Sequence, residues 1–193
     1  MPCELGQLDF APLPPAPARR TTRRLSVATW RQILARPDNE ARYNMNVLRL
    51  RASDSWPWLG SLSSSGAGSL WVRAGDGGHM VSAHAYGYQL LHGVVEPEAG
   101  EWPVIRHTCD EAWCQNFAHW QLGGPADNLN DWLRRRWHTG SPLRDVRGAG
   151  GRATAVREAA RAAIAAGAST AAIAAAVREA AFAGAPAPEE VLF

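Results

Sequence analysis

Apolar and polar positions follow several rhythms along the chain, and each predicts a different element. Residues 26–36 read as a short helix, with Ser26 as its N-cap and Pro37 ending it. Val47–Arg51 alternates with period two, the pattern of a half-buried strand. Trp56, Trp58 and Trp71 flank a Ser/Gly-rich stretch, 61–69, which reads as a loop or hairpin turn. His84 to Leu91 suits a helix closed by Gly93. Further on, 104–107 and 120–122 are short apolar runs separated by a polar loop. Gly123-Gly124 ends the second, and Pro125 opens a helix predicted to reach Trp137. The order there is strand, loop, strand, helix.

The last third changes character. Residues 138–152 are rich in Gly and Arg and read as a linker. Residues 153–183 are dominated by alanine and broken at Gly167-Ala168-Ser169, which predicts two helices in a hairpin with Ser169 or Thr170 as the second N-cap. Ile164, Ile173 and Val177 are its thin apolar stripe. The predicted organisation is a Pro/Arg-rich flexible arm (1–25), a domain over 26–137 with its chemistry in 104–136, a basic linker (138–152), the helical hairpin (153–183) and a Pro-rich tail (184–193), α+β in class.

Composition narrows the function. With 193 residues, 46% of them hydrophobic and 20% charged, the chain has the makings of a folded domain with appendages. No apolar run has the length of a membrane span, and the first residues lack the basic and apolar regions of a secretory signal, so a cytoplasmic protein with no membrane partner is expected. Three cysteines, an odd number, argue against a disulfide scaffold. The net charge is only +2, but its distribution is uneven. All twenty basic residues are arginine, clustered at Arg19, Arg20, Arg23 and Arg24, and again at Arg134, Arg135, Arg136, Arg144, Arg147 and Arg152. Such clusters can track a phosphate backbone.

The informative segment is His107-Thr108-Cys109-Asp110-Glu111-Ala112-Trp113-Cys114-Gln115-Asn116-Phe117-Ala118-His119, followed by Asn128. Cys109, Cys114 and His119 have the spacing of three zinc ligands in one loop; a loop this short and polar cannot bury a core of its own, and a metal could hold it rigid instead, the alternative being two buried free cysteines near a surface histidine. His107 ends the first strand, outside that set. A neutral imidazole can take a proton from water, and the amide oxygen of Asn128 is a hard ligand suited to Mg²⁺.

These residues resemble the HNH endonucleases of phages and actinobacteria, also called ββα-metal or His-Me finger nucleases. The matching pieces are Ala83-His84, Gly93, His107-Thr108-Cys109-Asp110, Cys114-Gln115-Asn116-Phe117-Ala118-His119, Gly123-Gly124 and Asn128-Leu129-Asn130-Asp131, with Trp56-Pro57-Trp58-Leu59-Gly60 upstream. The spacing from His107 to Asn128 is also similar to that of the His-Cys box homing endonucleases. The resemblance implies a small ββα-metal core with a zinc-stabilised loop, and cleavage of double-stranded DNA with Mg²⁺ or Mn²⁺. His107 is then the general base, Asn128 the catalytic-metal ligand, Asn116 a brace of the loop, and His84 a catalytic residue near the scissile phosphate. The alternative class is a zinc-stabilised DNA-binding module without catalysis.

The chain departs from the family pattern at identifiable places. Arg106 precedes the base where many relatives carry an acid; with Arg134, Arg135, Arg136, Arg144 and Arg147 it is expected to contact DNA. Ala85 replaces an Arg after His84. Ser55 stands where a fourth zinc ligand, a Cys, is expected, which leaves Asp54 or Cys3 to replace it. Homodimerisation, and binding of a bacterial sliding clamp through the terminal Glu189-Glu190-Val191-Leu192-Phe193, are further partner readings.

Overall fold

The computed structural model describes residues 24–97 and 101–186, and the chain there is α+β. The arm up to Arg23, with three of its four clustered arginines and Cys3, lies outside the described residues, as does the acidic terminal peptide. Helix α1 (Val27–Leu34) starts where Ser26 predicts: the Ser26 hydroxyl accepts the Thr29 N–H at 3.1 Å. Pro37 does more than end it. It is the first residue of a second helix, α2 (Pro37–Met45), where its missing N–H is not needed. Apolar rhythm misses α2 because the helix buries only Asn39 and Tyr43. Asn39 is nonetheless the joint of this region. Its amide donates to the carbonyls of Ile33 and Arg73, both at 2.9 Å, and its oxygen accepts the Arg73 N–H.

Strands β1 (Ser61–Leu62), β2 (Gly68–Ala74) and β3 (Gly77–Ser82) form an antiparallel sheet in that order. The inward residues Leu70 and Val72 meet Trp30, Ile33, Tyr43, Trp58 and Tyr86 in the main core. The strand expected at Val47–Arg51 does not form. Only Val47 bridges, to Trp58, and Leu48 donates to the Pro57 carbonyl. Pro57 has no N–H to return, so the ladder stops there. Helix α3 (Ala83–His92) follows β3 and ends at Gly93, whose φ is +85°. A Cβ on Gly87 would lie 2.2 Å from the Tyr43 hydroxyl and 2.7 Å from the Trp120 ring, so this glycine lets α3 sit directly on the next unit.

That unit is a second, two-stranded antiparallel sheet: β4 (Val104–His107) and β5 (Trp120–Gly123), with His107 opposite Trp120. Helix α4 (Pro125–Arg135) follows it. The segment 138–152 is not an open linker. It holds a short helical turn at 142–144 and the start of α5 (Gly148–Ala165), which packs on α6 (Thr170–Phe182). Ala153, Val156, Ala160, Val177 and Ala181 form the contact and reach Trp113 and Cys114 of the 108–119 loop. Ile164, expected in the stripe, is 42% exposed, because the close approach of alanines puts the seam on another face.

Buried charges tie these helices to the loop. Arg152 donates to Glu111 at 2.5 Å and to Asp145 at 3.2 Å, and also to the Ala181 carbonyl. Asp145, its side chain fully enclosed, also holds Arg147 at 2.6 Å. Arg147 lowers the Asp145 carboxyl to about 2. A depressed carboxyl stabilises the fold above the unfolded value near 3.8, and that contribution disappears as pH falls through about 2. Asp145→Asn should therefore flatten the loss of urea stability across that acid window, where wild type weakens steadily. Arg152→Ala strands the buried Glu111 carboxylate, while Asp145 keeps Arg147, and should cost about 3–5 kcal/mol in urea unfolding at neutral pH. A change under about 1 kcal/mol would mean that the pairs contribute no more than a surface contact.

Candidate functional site

The loop between β4 and β5 gathers three metal-binding side chains. The Sγ atoms of Cys109 and Cys114 and a ring nitrogen of His119 all lie within 4.8 Å of one another, an arrangement that could hold a metal ion. Cys114 Sγ is 3.5 Å from His119 Nδ1. Local chemistry sets this geometry. Asp110 takes a left-handed φ of +56°, reversing the chain just after Cys109. The Cys114 N–H donates to Glu111 O at 3.0 Å, and the Thr108 N–H donates to His119 O at 2.8 Å, closing the loop at its neck. Asn116 is buried. Its oxygen accepts the Ala118 N–H, and its amide donates to the carbonyls of Ala52 and Asp54, both at 2.7 Å. It thus braces the loop against the segment preceding Trp56.

The donor chemistry suits a cation. The Cys109 thiol is pushed up by its hydrogen bond to Cys114 and by burial. A bound divalent ion supplies the charge that lets both sulfurs ionise. Ser55 neighbours both thiols, and its hydroxyl favours their ionised form. Asp54 does not join the set: its carboxylate pairs with Arg51 at 3.2 Å while its carbonyl accepts from Asn116. The position beside the sulfurs belongs to Ser55, and Cys3 is outside the described residues.

His107 stands at the end of β4, next to this cluster. Its Nε2 is 3.0 Å from the Cys114 carbonyl, which also accepts the Trp120 indole N–H at 3.3 Å. A carbonyl only accepts, so Nε2 carries the proton and Nδ1 keeps the lone pair. Burial holds the His107 imidazole down at about 4. His84, from α3, packs edge-on against it with ring centres 4.8 Å apart. Burial and then the neighbouring His107 lower His84 to about 3, and its buried Nδ1 has no partner among the described residues. Both rings are therefore neutral at physiological pH.

Helix α4 is fastened across β4 by charge. Asp131 receives Arg106 at 2.5 Å and Arg135 at 3.0 Å; Arg135 also reaches Asp110 and the carbonyls of His107 and Thr108. Asn128 lies one turn before Asp131 on the same helix and is exposed. Three of the arginines expected at DNA are accordingly engaged inside the protein. Arg106 and Arg135 lock α4 to β4, and Arg147 is held by Asp145. Arg134, Arg136 and Arg144 make no ion pair with a described residue.

Sequence reasoning missed the partners of the loop more than the loop itself. Glu111 looked like one of several acids, yet it is buried against Arg152 from 41 residues away. The available signal was Glu111 lying between two cysteines, immediately before Ala112 and Trp113.

Comparison with known proteins gives two distant relatives, both from Escherichia phage T7. Protein 7.7 is 33% identical over 82 residues, covering 42% of this chain and 57% of that protein. Protein 2.8 is 27% identical over 99 residues, covering 51% of this chain and 63% of that protein. The chain thus spans between half and two thirds of the length of each. No protein-family model matches the chain, and no solved structure does.

The gathered donors predict one divalent ion per chain. Elemental analysis after gel filtration should give a stoichiometry near one, and Cys114→Ser should abolish it. Stripping the ion should expose two thiols to alkylation and lower the melting temperature. Unchanged thiol reactivity and melting on stripping would contradict a metal centre.

Proposed function

We propose that the chain is a metal-dependent DNA endonuclease of the HNH, or His-Me finger, type. The observation that carries this reading is the state of His107. It is a neutral imidazole at a strand end, its Nε2–H tied to a backbone carbonyl and its Nδ1 free as a base. The unit β4–β5–α4 is then the ββα-metal core, and α5 with α6 is a helical hairpin that supports it. Two thiols and an imidazole form the donor set that zinc favours, so the loop ion is structural zinc. Asn128, exposed on α4, offers an amide oxygen to Mg²⁺ or Mn²⁺, with phosphate and water completing the shell. The phage origin of both relatives supports action on DNA in a phage-infected bacterial cell.

The reaction uses few protein groups. A divalent ion at Asn128, when bound, polarises the phosphate and offsets the charge that builds on the leaving oxygen. Nδ1 of His107 accepts a proton from a water molecule, and that water's oxygen forms the new bond to phosphorus as the bond to the leaving oxygen breaks. The Cys114 carbonyl stabilises the imidazolium by keeping its Nε2–H bond. His84 packs edge-on against the ring and, being neutral, does not compete for the proton. The low basicity of His107 means it is not already protonated when the substrate arrives.

Supercoiled plasmid should be nicked or linearised with Mg²⁺ and untouched without it. His107→Ala should slow cleavage by about 10²–10⁴-fold while DNA affinity, measured in Ca²⁺, changes less than about twofold. Asn128→Ala should lower the rate by a similar factor and raise the Mg²⁺ concentration needed. Equal cleavage by wild type and His107→Ala would remove the general-base assignment. Binding with no cleavage by wild type would favour the non-catalytic module.

A further inference from the structure

Helix α4 buries none of its own residues, although its sequence is strongly two-sided. One side carries Asp131 and Arg135 and is fastened to β4. The other, continued by the C-cap Arg136 and by Trp137 in the turn that follows, presents two adjacent rows at one-turn spacing, Asn128–Trp132–Arg136 and Leu129–Leu133–Trp137. The apolar members stay in solvent: Leu129 is 54% exposed, Trp132 40%, Leu133 48% and Trp137 67%. A contiguous apolar patch of this kind marks an interaction surface.

Its centre is unusual. The Arg136 guanidinium lies 4.0 Å from the centre of the Trp132 ring and 4.2 Å from that of Trp137. Stacking engages the faces of the guanidinium and leaves its in-plane N–H groups free. The side chain is thereby held in one orientation before any partner arrives, which lowers the entropy lost on binding. Neither Arg136 nor Arg134 has an acidic partner among the described residues. The nearby acids stand one turn apart in a separate row: Asp131 is held by two arginines, and Asp127 accepts the Gly124 N–H. The two rows therefore combine a cation with aromatic and aliphatic faces and contain no acidic residue.

That charge pattern selects the partner. A second copy docked here about a two-fold axis would set Arg134 and Arg136 against themselves, an arrangement like charges oppose. Duplex DNA fits instead: phosphates meet the guanidinium edges, while indoles and leucines rest against sugars and base edges. We propose that this face of α4, with Arg136 clamped between Trp132 and Trp137, is the surface that seats duplex DNA beside the cleaved phosphate. The proposal rests on the endonuclease reading, because Asn128 heads the same row as Trp132 and Arg136. A phosphate at Asn128 places neighbouring nucleotides along the stack, which extends about 12 Å further down the helix.

The test is fluorescence anisotropy of a fluorescein-labelled short duplex of arbitrary sequence, with Ca²⁺ replacing Mg²⁺ so that binding is read without cleavage. Trp132→Ala/Trp137→Ala should bind about tenfold more weakly than wild type, the scale of losing one or two stacked contacts. Arg136→Lys should weaken binding by about threefold with an unchanged dependence on salt, because charge is kept and stacking is lost. All these side chains reach solvent, so melting temperatures should match wild type, and circular dichroism checks that they do. Wild-type affinity in the tryptophan double variant overturns the proposal. So does a wild-type dimer in sedimentation that the double variant dissociates at unchanged DNA affinity, since the patch then joins two copies. Absence of duplex binding by wild type overturns both this inference and the endonuclease reading, whereas wild-type binding with unaffected variants overturns this inference alone.

Discussion

The site depends on what Cys114 does with its two ends. Its thiol points into the cluster with Cys109 and His119, and its carbonyl accepts from His107 and Trp120. An ion that fixes the thiol also fixes the carbonyl, because a short side chain cannot move without its backbone. On the proposed reading, the metal centre therefore sets the tautomer and orientation of the base without touching it. This is a common division of labour at metal sites, where groups beyond the immediate ligands hold the reacting group in place.

The loop is also held from outside. Glu111 meets Arg152, which meets Asp145, and the carbonyl of Ala181 on α6 accepts from the same guanidinium. Asn116 pulls the opposite side of the loop toward Ala52 and Asp54. The C-terminal helices are thus more than an appendage: they cover Trp113 and Cys114 with alanines small enough to approach closely. The buried pairs are better read as fixing where the helices sit than as a source of stability, since desolvation consumes much of their attraction.

Much of the site was legible in the sequence because its chemistry is local. Cys109, Cys114, His119 and His107 lie within 13 consecutive residues, and the strands on either side are marked by short apolar runs and Gly123-Gly124. The helix start at Pro125 and the end at Gly93 follow from backbone chemistry alone. What was not legible is pairwise. Arg135 and Arg147 belong to a basic run in sequence, yet each is held by an acid a few residues away, and the isolated Arg106 meets Asp131 from 25 residues away. The strand expected at Val47–Arg51 failed because its neighbour contains Pro57, and α2 escaped notice because it buries an asparagine instead of an apolar stripe. Ser55 beside the thiols, with Asp54 paired to Arg51, is a one-residue difference that no spacing argument decides.

The central claim is that the ion in the loop orients the base, so that chemistry depends on a metal that takes no part in it. The direct measurement is plasmid cleavage at saturating Mg²⁺ while zinc is added back to protein stripped of it by a thiol-competing chelator. The account predicts that rate rises in proportion to the fraction of chains holding zinc, with duplex affinity changing far less. Full cleavage by the stripped protein at the same Mg²⁺ concentration would contradict it.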